Sequence, residues 1–381
     1  MKKTILASTK VGYTLPKEEA ILFSGKEAGI CYMPDTMETL FSEDEQKSQK
    51  RANRTLLSGH HSVFGHPSYC LSLEEIPKIV AMILNNEKDY NTSEKSARYT
   101  KMAASKEEST LYEKWITLYE NKIKEVYPFL EEKQAHKLAQ ENARYLIGVF
   151  TPATSMGHTL DLRQLNYILH WMQDFSKTAE DTKFNQKLKP CLQEFIALFD
   201  DLIIPELNTT EKERTISLFA KRERQEEWGE NYSTNYLATF AQVGQAQRHR
   251  TVSYEITLLD EPQYFVPPII AGTDLEQEWL KDISSLADFF PQGMLVKVNE
   301  RGTVENFVLK TKERLCGCAQ LEIALQTKAT LDKYLENTKE TNPVVYEYLL
   351  PYAKGARCTF PSFKCTAPCV WGPNNALTRK I

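Results

Sequence analysis

The densest group of chemically active side chains lies between Gln245 and Ser253. Within it, Arg248, His249 and Arg250 follow one another directly. Two guanidinium groups beside an imidazole offer several hydrogen-bond donors to phosphate or another delocalised anion. A solvated basic turn in a mildly acidic protein would show the same pattern. The residues alone leave both interpretations open.

A second polar cluster occupies residues 91–99. It contains the carboxylate of Glu94, the hydroxyl of Ser96 and the guanidinium of Arg98. The serine and the arginine could bind a phosphate while the glutamate accepts a hydrogen bond from a sugar hydroxyl. The alternative, favoured without further information, is that the hydroxyl residues just before Glu94 cap a helix.

Cysteines form the third group, because five of the eight lie between positions 316 and 369. Structural zinc sites usually take ligand pairs two to four residues apart, and Cys365 and Cys369 satisfy that spacing. One hypothesis is a metal held by Cys358, Cys365 and Cys369, with help from Cys316 or Cys318. Buried or simply reduced thiols are the preferred alternative, since the sequence has no CxxC pair.

Other chemistries lack their motifs in the sequence. It has no GxGxxG turn, no GxxxxGK[ST] phosphate loop and no GxSxG elbow. A nucleophilic cysteine at Cys369 is disfavoured because no histidine lies beyond His249.

Composition limits the class of protein further. The chain has 381 residues, 41% apolar and 26% charged, with a net charge of −4. These values indicate a globular protein of about two domains and argue against broad binding to nucleic acid or to an anionic membrane. No apolar run approaches the ~20 residues of a membrane span, and the apolar start is too short for a secretory signal. We therefore expect a cytoplasmic protein with reduced thiols.

Periodicity and breaker residues predict the elements that carry these clusters. A strand is predicted over Thr4–Ser8, and a helix that begins after Pro16 and ends before Pro34. A further strand is expected over Pro67–Leu73. Long helices are predicted over Glu107–Tyr127, with a core face of Leu111, Trp115, Leu118, Ile123 and Val126, and over Gln134–Gly148. The stretch Ile203–Arg214 has the composition of a domain boundary.

The second half also echoes the first. Ser68-Tyr69 precedes Asp89-Tyr90 by an interval close to the one between Tyr232-Ser233 and Ser253-Tyr254. The stretch 159–165 is echoed by 303–307. Identity between the two halves is low, so these echoes alone give weak support to a duplication.

Taken together, the motifs resemble those of the flavin-dependent thymidylate synthase family. The resemblance rests on four segments and on Arg248-His249-Arg250 followed by Ser253. Residues 28–34 are similar to the end of the family's first helix, and Glu94-Lys95-Ser96-Ala97-Arg98-Tyr99 to its nucleotide segment. Residues 58–66 resemble its Gly-His-x-Ser-x-Phe-Glu-His turn, with Gly65 in place of the acid. Residues 314–323 resemble its Ala-Gln-x-Glu-Ile helix.

The departures from the family pattern are divided between the halves. In the first half, Asn85-Asn86-Glu87-Lys88 stands where the family has Arg-His-Arg. In the second half, the residues after Ser253 lack the Ser-x-Arg-Tyr ending. Each half keeps what the other has lost, as two fused and diverged copies would.

The resemblance implies an α+β fold of two tandem copies, residues 1–204 and 205–381, each with a mixed sheet flanked by long helices. It implies reductive methylation of dUMP to dTMP, with FAD as cofactor and with NADPH and methylenetetrahydrofolate as co-substrates. Flavin would be bound by Arg248, His249, Arg250, Ser253 and His60, and Gln245 would join the two arginines in catalysis. The nucleotide would be bound by Glu94, Ser96, Arg98, Tyr99 and Arg163. Family sites lie between the subunits of a tetramer, so two fused chains would form a homodimer.

A second hypothesis from another class is a flavin- or nucleotide-binding relative that has lost methyl transfer. Arg163 keeps the family's late nucleotide arginine in the first half, whereas Glu305 takes its place in the second. A carboxylate facing a phosphate is unfavourable, so a site that used Glu305 would be inactive.

Overall fold

The computed structural model describes residues 1–8, 15–96, 104–207, 214–220, 222–366 and 368–381. Separate helices and strands make up these residues, which is the α+β class that the sequence predicts. The strands are β1 (Lys2–Ser8), β2 (Ser68–Ile76), β3 (Asn91–Glu94), β4 (Thr154–Asp161), β5 (Glu227–Trp228), β6 (Asn231–Thr239), β7 (Ser253–Leu258) and β8 (Leu295–Thr303).

The helices lie between and after the strands along the chain and vary from one turn to six turns. They are α1 (Lys17–Tyr32), α2 (Met37–Ser42), α3 (Glu45–Leu57), α4 (Lys78–Leu84), α5 (Lys106–Val126), α6 (Glu132–Ala143), α7 (Leu162–Thr178), α8 (Lys183–Ala197), α9 (Phe240–Ala246), α10 (Asp274–Ser285), α11 (Val304–Arg314), α12 (Leu321–Thr338), α13 (Pro343–Leu349) and α14 (Gly372–Asn375). The predicted strand at the start, the helix after Pro16 and the strand after Pro67 are all confirmed as β1, α1 and β2.

The chain divides into two compact units. Unit 1 comprises Met1–Lys95 and Pro152–Ser217, and unit 2 comprises Ser96–Thr151 and Leu218–Ile381. The division into copies 1–204 and 205–381 remains a prediction.

Unit 1 is built on a four-stranded sheet in the order β1-β2-β4-β3. Alternate residues of β2 face the core, so Tyr69, Leu71 and Leu73 are buried while their neighbours are not. This period of two is what a half-buried strand requires. The helix α4 follows β2 and is buried from Ile79 to Leu84.

The junction of β4 with α7 is fixed by one side chain. Asp161, the last residue of β4, accepts a hydrogen bond from Gln164 N at 2.7 Å and so caps α7. The backbone N–H of Leu162 donates to Pro67 O at 2.8 Å, just before β2 begins. These bonds set the direction in which α7 leaves the sheet.

Unit 2 contains a second four-stranded sheet, in the order β5-β6-β8-β7. Here Thr303 ends β8 and caps α11 by accepting from Asn306 N at 3.4 Å, while Val304 N donates to Glu230 O at 2.8 Å. Aromatic and aliphatic side chains then fill the space under α11 and α12, among them Tyr232, Phe307, Leu331 and Tyr334.

The prediction of a mixed sheet is wrong for the described strands, because every pair in both sheets is antiparallel. A parallel pair needs a crossover that returns the chain to the same end of the sheet. Here each neighbouring strand runs back from the opposite end instead.

The long helix α5 is confirmed, but its buried face is turned from the predicted one. Trp115 and Ile123 are buried as expected, whereas Val126 is 36% exposed and Tyr112 and Tyr119 are buried in its place. Trp115 meets Trp279 of α10 edge-on at 4.8 Å between ring centroids. With this aromatic contact, the buried face of α5 includes tyrosines that the pattern of apolar residues did not predict to be buried.

The next predicted helix, Gln134–Gly148, is too long at its end. The α-helix α6 stops at Ala143, and a single 3-10 turn covers Arg144–Leu146. This turn directs Arg144 and Tyr145 into the interior of unit 2, where both are buried.

Candidate functional site

The Arg-His-Arg stretch forms the turn that joins α9 to β7. The helix ends at Ala246, and the N–H groups of Arg248 and His249 donate to Gln245 O at 3.2 Å and Ala246 O at 2.9 Å. Arg248 is exposed and Arg250 half-buried, while His249 is only 7% exposed. The turn thus exposes Arg248 to solvent and buries the imidazole of His249.

His249 is neutral in this environment. Its Nε2 accepts a hydrogen bond from Arg314 Nε at 2.6 Å. Burial, reinforced by the positive charges of Arg314 and Lys310, lowers the pKa of His249 to about 2. The cationic character of the turn therefore comes from Arg248 and Arg250, and His249 supports the turn from inside.

Gln245 begins a buried polar network behind this turn. Its amide donates to Gln320 Oε1, which also accepts from the guanidinium of Arg144. The Gln320 amide donates in turn to the hydroxyl of Tyr145, which donates to Glu322 Oε2 at 2.7 Å. The network ties α9 to the start of α12 and holds Gln245 at the base of the basic turn.

The network ends on a buried carboxylate. Glu322 accepts from Thr239 N at 3.0 Å and from its hydroxyl at 2.8 Å. Burial raises the pKa of Glu322, and burial together with the neighbouring Glu322 charge raises the pKa of Tyr145 well above its usual value. These shifts favour the neutral forms, which suits a network that fixes geometry.

Sequence reasoning gave these residues no role. Gln320 and Glu322 belong to the segment 314–323, which resembles the family's late helix. Arg144 and Tyr145 lie within the predicted helix Gln134–Gly148. The signal available was the Ala-Gln-x-Glu-Ile spacing, which places both polar side chains at the first turn of a helix.

An open polar cleft lies beside the first residue of β7. Ser253 lines it together with Arg222, Arg224 and Arg301. Glu255 accepts from Arg224 Nη2 at 2.6 Å and from Arg301 Nη1 at 2.5 Å. Burial would raise the pKa of Glu255, but these two guanidinium groups outweigh it and lower the pKa. The same cleft is also lined by Glu223, Glu226 and Glu227, so its three arginines face three carboxylates and the lining carries no excess positive charge.

In unit 1, Glu94 is held by neighbouring side chains. Its Oε1 lies 2.6 Å from Lys78 Nζ, and its Oε2 accepts from Asn85 Nδ2 at 3.3 Å. The side chain is 6% exposed. Ser96 is half-buried, while Arg98 and Tyr99 lie outside the described residues.

Arg163 stands two residues beyond β4, at the first turn of α7. Its Nη2 lies 3.9 Å from Asp161 Oδ2, and burial raises the pKa of Asp161. A Cβ atom added to Gly65 would lie 3.5 Å from Arg163 Cζ. Gly65 is thus adjacent to the Arg163 guanidinium.

Glu94 and Arg163 are not brought together along the sheet. Glu94 pairs with Met156 near the beginning of β4, whereas Arg163 follows the end of that strand at Asp161. Five strand residues between Met156 and Asp161 correspond to about 16 Å. His60 lies elsewhere in unit 1, with its Nδ1 hydrogen-bonded to the hydroxyl of Tyr32.

Glu305 and the cysteines complete the predicted residues. Glu305 is fully exposed, and a hydrogen bond with Thr303 lowers its pKa. All eight cysteines are free thiols, and Cys358 and Cys365 are exposed while Cys369 is half-buried. In the part of the chain that the structure describes, no three His, Cys, Asp or Glu side chains form a ready coordination site. No described helix is both long and apolar enough to cross a lipid bilayer.

Comparison with known proteins gives one family. Residues 12–195 match the model of the Thy1 family, described as thymidylate synthase complementing protein. The resemblance found in the sequence is confirmed over those residues. No curated protein matches the chain.

Three solved structures are similar to about half of the chain. Two are of the flavin-dependent thymidylate synthase ThyX from Helicobacter pylori with FAD and dUMP, each 16% identical with a TM-score of 0.31. They cover 54% and 53% of this chain and 100% and 99% of their own. The third is the UMP/dUMP methylase PolB from Streptomyces cacaoi bound with 5-Br dUMP, at 16% identity and a TM-score of 0.32, covering 54% of this chain and 97% of its own.

Proposed function

We propose, from the premise that residues 12–195 form a Thy1-family domain, that the chain is a flavin-dependent thymidylate synthase. It would convert dUMP to dTMP in the cytoplasm, with FAD as cofactor and with methylenetetrahydrofolate and NADPH as co-substrates. The observation that carries the proposal is the pairing of this family match with the exposed Arg248 and the half-buried Arg250 in the second half.

The residues of the basic turn fit a flavin. Arg248 and Arg250 supply positive charge at the end of α9, and Ser253 lies three residues on, in the cleft that Arg301 also lines. A diphosphate or a reduced, anionic ring is the kind of group that such donors stabilise. Bound FAD would supply the redox chemistry, and these side chains would bind and orient it.

Gln245 is the residue that the buried network positions for catalysis. Its amide donates to Gln320 and so has a fixed direction, while its backbone carbonyl accepts from Arg248 N. A side chain whose direction is fixed by this bond to Gln320 can hold a pyrimidine or flavin edge with little loss of entropy on binding.

The nucleotide half of the site would come from unit 1 and the segment after it. Arg98, with Ser96 and Tyr99 beside it, would bind the nucleotide from one copy of the chain, and Arg163 at the start of α7 would bind its phosphate from another. Glu94 would be oriented by Lys78 and Asn85, which already occupy its two oxygens. A Cβ atom at position 65 would be in van der Waals contact with Arg163, so Gly65 brings this part of the backbone close to the guanidinium.

The two sheets support the proposal of a fused pair. Both have the same relative strand order, β1-β2-β4-β3 and β5-β6-β8-β7. In both sheets, the third strand in this order ends at a residue that caps the next helix. Asp161 ends β4 and caps α7, and Thr303 ends β8 and caps α11. The two caps align Arg163 with Glu305, and the ends of α4 at Leu84 and of α9 at Ala246 align Asn86 with Arg248. Because each copy has lost one of the two motifs, the first copy would bind the nucleotide and the second would bind the flavin. Two chains would form a homodimer with four copies in total, a pseudo-tetramer.

The alternative function is ligand binding without methyl transfer. The observation that favours it is Glu305, an exposed carboxylate whose lowered pKa keeps it charged where the first copy has Arg163. A site built around the second copy would repel a nucleotide phosphate.

The experiment compares two variants, each of which should lose the binding of one ligand and keep the binding of the other. Arg248→Ala/Arg250→Ala should lose the yellow colour, since each charge-assisted hydrogen bond contributes about 1.5–3 kcal/mol. Arg98→Ala should remain yellow and bind dUMP at least tenfold more weakly by calorimetry, a loss of about 1.4 kcal/mol. Arg54→Ala, an exposed arginine of α3, is the matched control and should change neither property.

Activity itself is read by growth of a thymidine-requiring bacterium that carries the gene. Growth without thymidine supports methyl transfer, and growth should fail with either variant. A yellow, dUMP-binding protein that does not support growth would favour the binding function. Full flavin absorbance in the double variant would refute the assignment of the basic turn.

A further inference from the structure

The turn after α4 in unit 1 has the same backbone form as the basic turn after α9. Asn86 N donates to the carbonyl three residues back at 3.0 Å, and Glu87 N does the same at 3.3 Å. Arg248 and His249 make the equivalent two bonds after α9, at 3.2 Å and 2.9 Å. Glu87 is 1% exposed, and its equivalent His249 is likewise buried. Unit 1 therefore keeps the form of the turn without its guanidinium groups.

Residues 214–217, the last residues of unit 1, are bonded to this turn. Ser217 N donates to Glu87 Oε1 at 2.6 Å, and Asn86 Nδ2 donates to Ser217 Oγ at 2.7 Å. Arg214 Nη2 donates to Glu87 Oε2 at 2.6 Å. Both oxygens of the buried carboxylate are thus bonded to the 214–217 segment.

The 214–217 segment is also packed against α7. The guanidinium of Arg214 lies over the ring of Trp171, 3.5 Å from its centroid, and Ile216 is fully buried. Withdrawal of Arg214 would lose this stacking and would leave the buried Glu87 carboxylate with one partner fewer. These contacts make the segment an integral part of unit 1.

In unit 2, the guanidinium that bonds to the buried residue of the turn comes from a helix. Arg314 of α11 donates to His249 Nε2 at 2.6 Å. The caps that begin α7 and α11 align Arg314 with Met172, which carries no charge. In unit 1, Arg214 of the 214–217 segment therefore supplies the guanidinium that α11 supplies in unit 2.

The two turns differ in what they offer to an anion. A diphosphate that approaches the turn after α9 meets the exposed Arg248. At the turn after α4, the equivalent residue is Asn86, whose amide already donates to Ser217. An anion that entered there would have to displace Arg214 and would then face the Glu87 carboxylate, which is unfavourable.

We propose that the 214–217 segment fills, at the turn after α4, the place that a flavin would take at the turn after α9. The connection between the two halves thereby limits each chain to a single flavin. The inference rests on the proposed binding of flavin by Arg248 and Arg250. It adds an occupant for the equivalent position in unit 1.

The first measurement is the amount of FAD that the full chain retains after saturation and removal of unbound flavin. A single FAD per chain is expected, and two per chain would overturn the inference while leaving the proposed function intact. A chain that retains no FAD would contradict the proposed function and the inference with it.

A matched pair of variants tests the role of the segment itself. Asn86→Arg/Lys88→Arg adds guanidinium groups to the turn but keeps Glu87, so the segment should stay bound and the chain should still retain a single FAD. Asn86→Arg/Glu87→His/Lys88→Arg also removes the acceptor of the segment and should retain more than one. Equal FAD content in the two variants would overturn the inference.

Hydrogen exchange of the Ser217 amide tests the inference on the unmodified chain, because that N–H donates to Glu87. Saturating FAD should leave its exchange rate unchanged, and faster exchange with FAD would show that flavin displaces the segment and would refute the inference. Glu87→Ala should accelerate the exchange roughly tenfold or more. Glu75→Ala, at an exposed carboxylate of unit 1, is the control and should not. Unchanged exchange in Glu87→Ala would show that the segment is not held by this carboxylate and would equally overturn the inference.

Discussion

The neutral state of His249 has a consequence for stability that can be worked out in sign and size. The folded pKa of about 2 lies far below the unfolded value of about 6.5. The unfolded chain therefore binds a proton at this residue as pH falls below 6.5, whereas the folded chain does not. Stability is lost progressively as pH falls through that range.

The expected magnitude follows from the interval between the two pKa values. Between pH 7 and pH 5, His249 alone should cost about 2 kcal/mol, at 1.36 kcal/mol per pH unit below 6.5. With a urea m-value of about 2 kcal/mol/M, the unfolding midpoint should fall by roughly 1 M. The stability contributed by His249 continues to fall with pH until the pH approaches the folded pKa.

The assay compares urea unfolding of the wild type and His249→Gln at pH 7 and pH 5. Glutamine cannot titrate, and its oxygen can still accept from Arg314 Nε. Any packing loss appears equally at both pH values, so the difference between the two pH values isolates the ionisation of His249. Equal pH dependence in wild type and His249→Gln would refute the neutral, buried state.

Two further predictions concern packing in unit 2. Lys310 and Glu300 form a fully buried ion pair at 2.5 Å, so Lys310→Met alone should cost about 3–5 kcal/mol and the double change with Glu300→Gln much less, measured by urea unfolding. A similar loss of stability in the single and the double variant would contradict this prediction. Gly148→Ala places a Cβ atom 2.6 Å from Phe289 O and should lower the free energy of unfolding by about 1–3 kcal/mol. An unchanged thermal unfolding midpoint in this variant would contradict the prediction.

The sequence predicted local elements well where breaker residues and short-range patterns fix them. Proline sets backbone geometry by its own ring, so the beginning of α1 after Pro16 could be predicted without tertiary information. The face of α5 could not, because Tyr119 is buried against Trp279, which lies more than a hundred positions away in the sequence.

The candidate site divides in the same way. The sequence by itself determined that Arg248, His249 and Arg250 are adjacent and that Glu94, Ser96 and Arg98 share one segment, since neighbours in the chain stay neighbours in space. Only the tertiary structure decided that His249 turns inward onto Arg314 and is neutral, because its charge state depends on burial and on a partner 65 residues away. The same holds for the contact of Cys369 with the turn at Gly317. Residue types and spacing define which groups are available, but burial and long-range contacts determine which of them are charged and which are brought together.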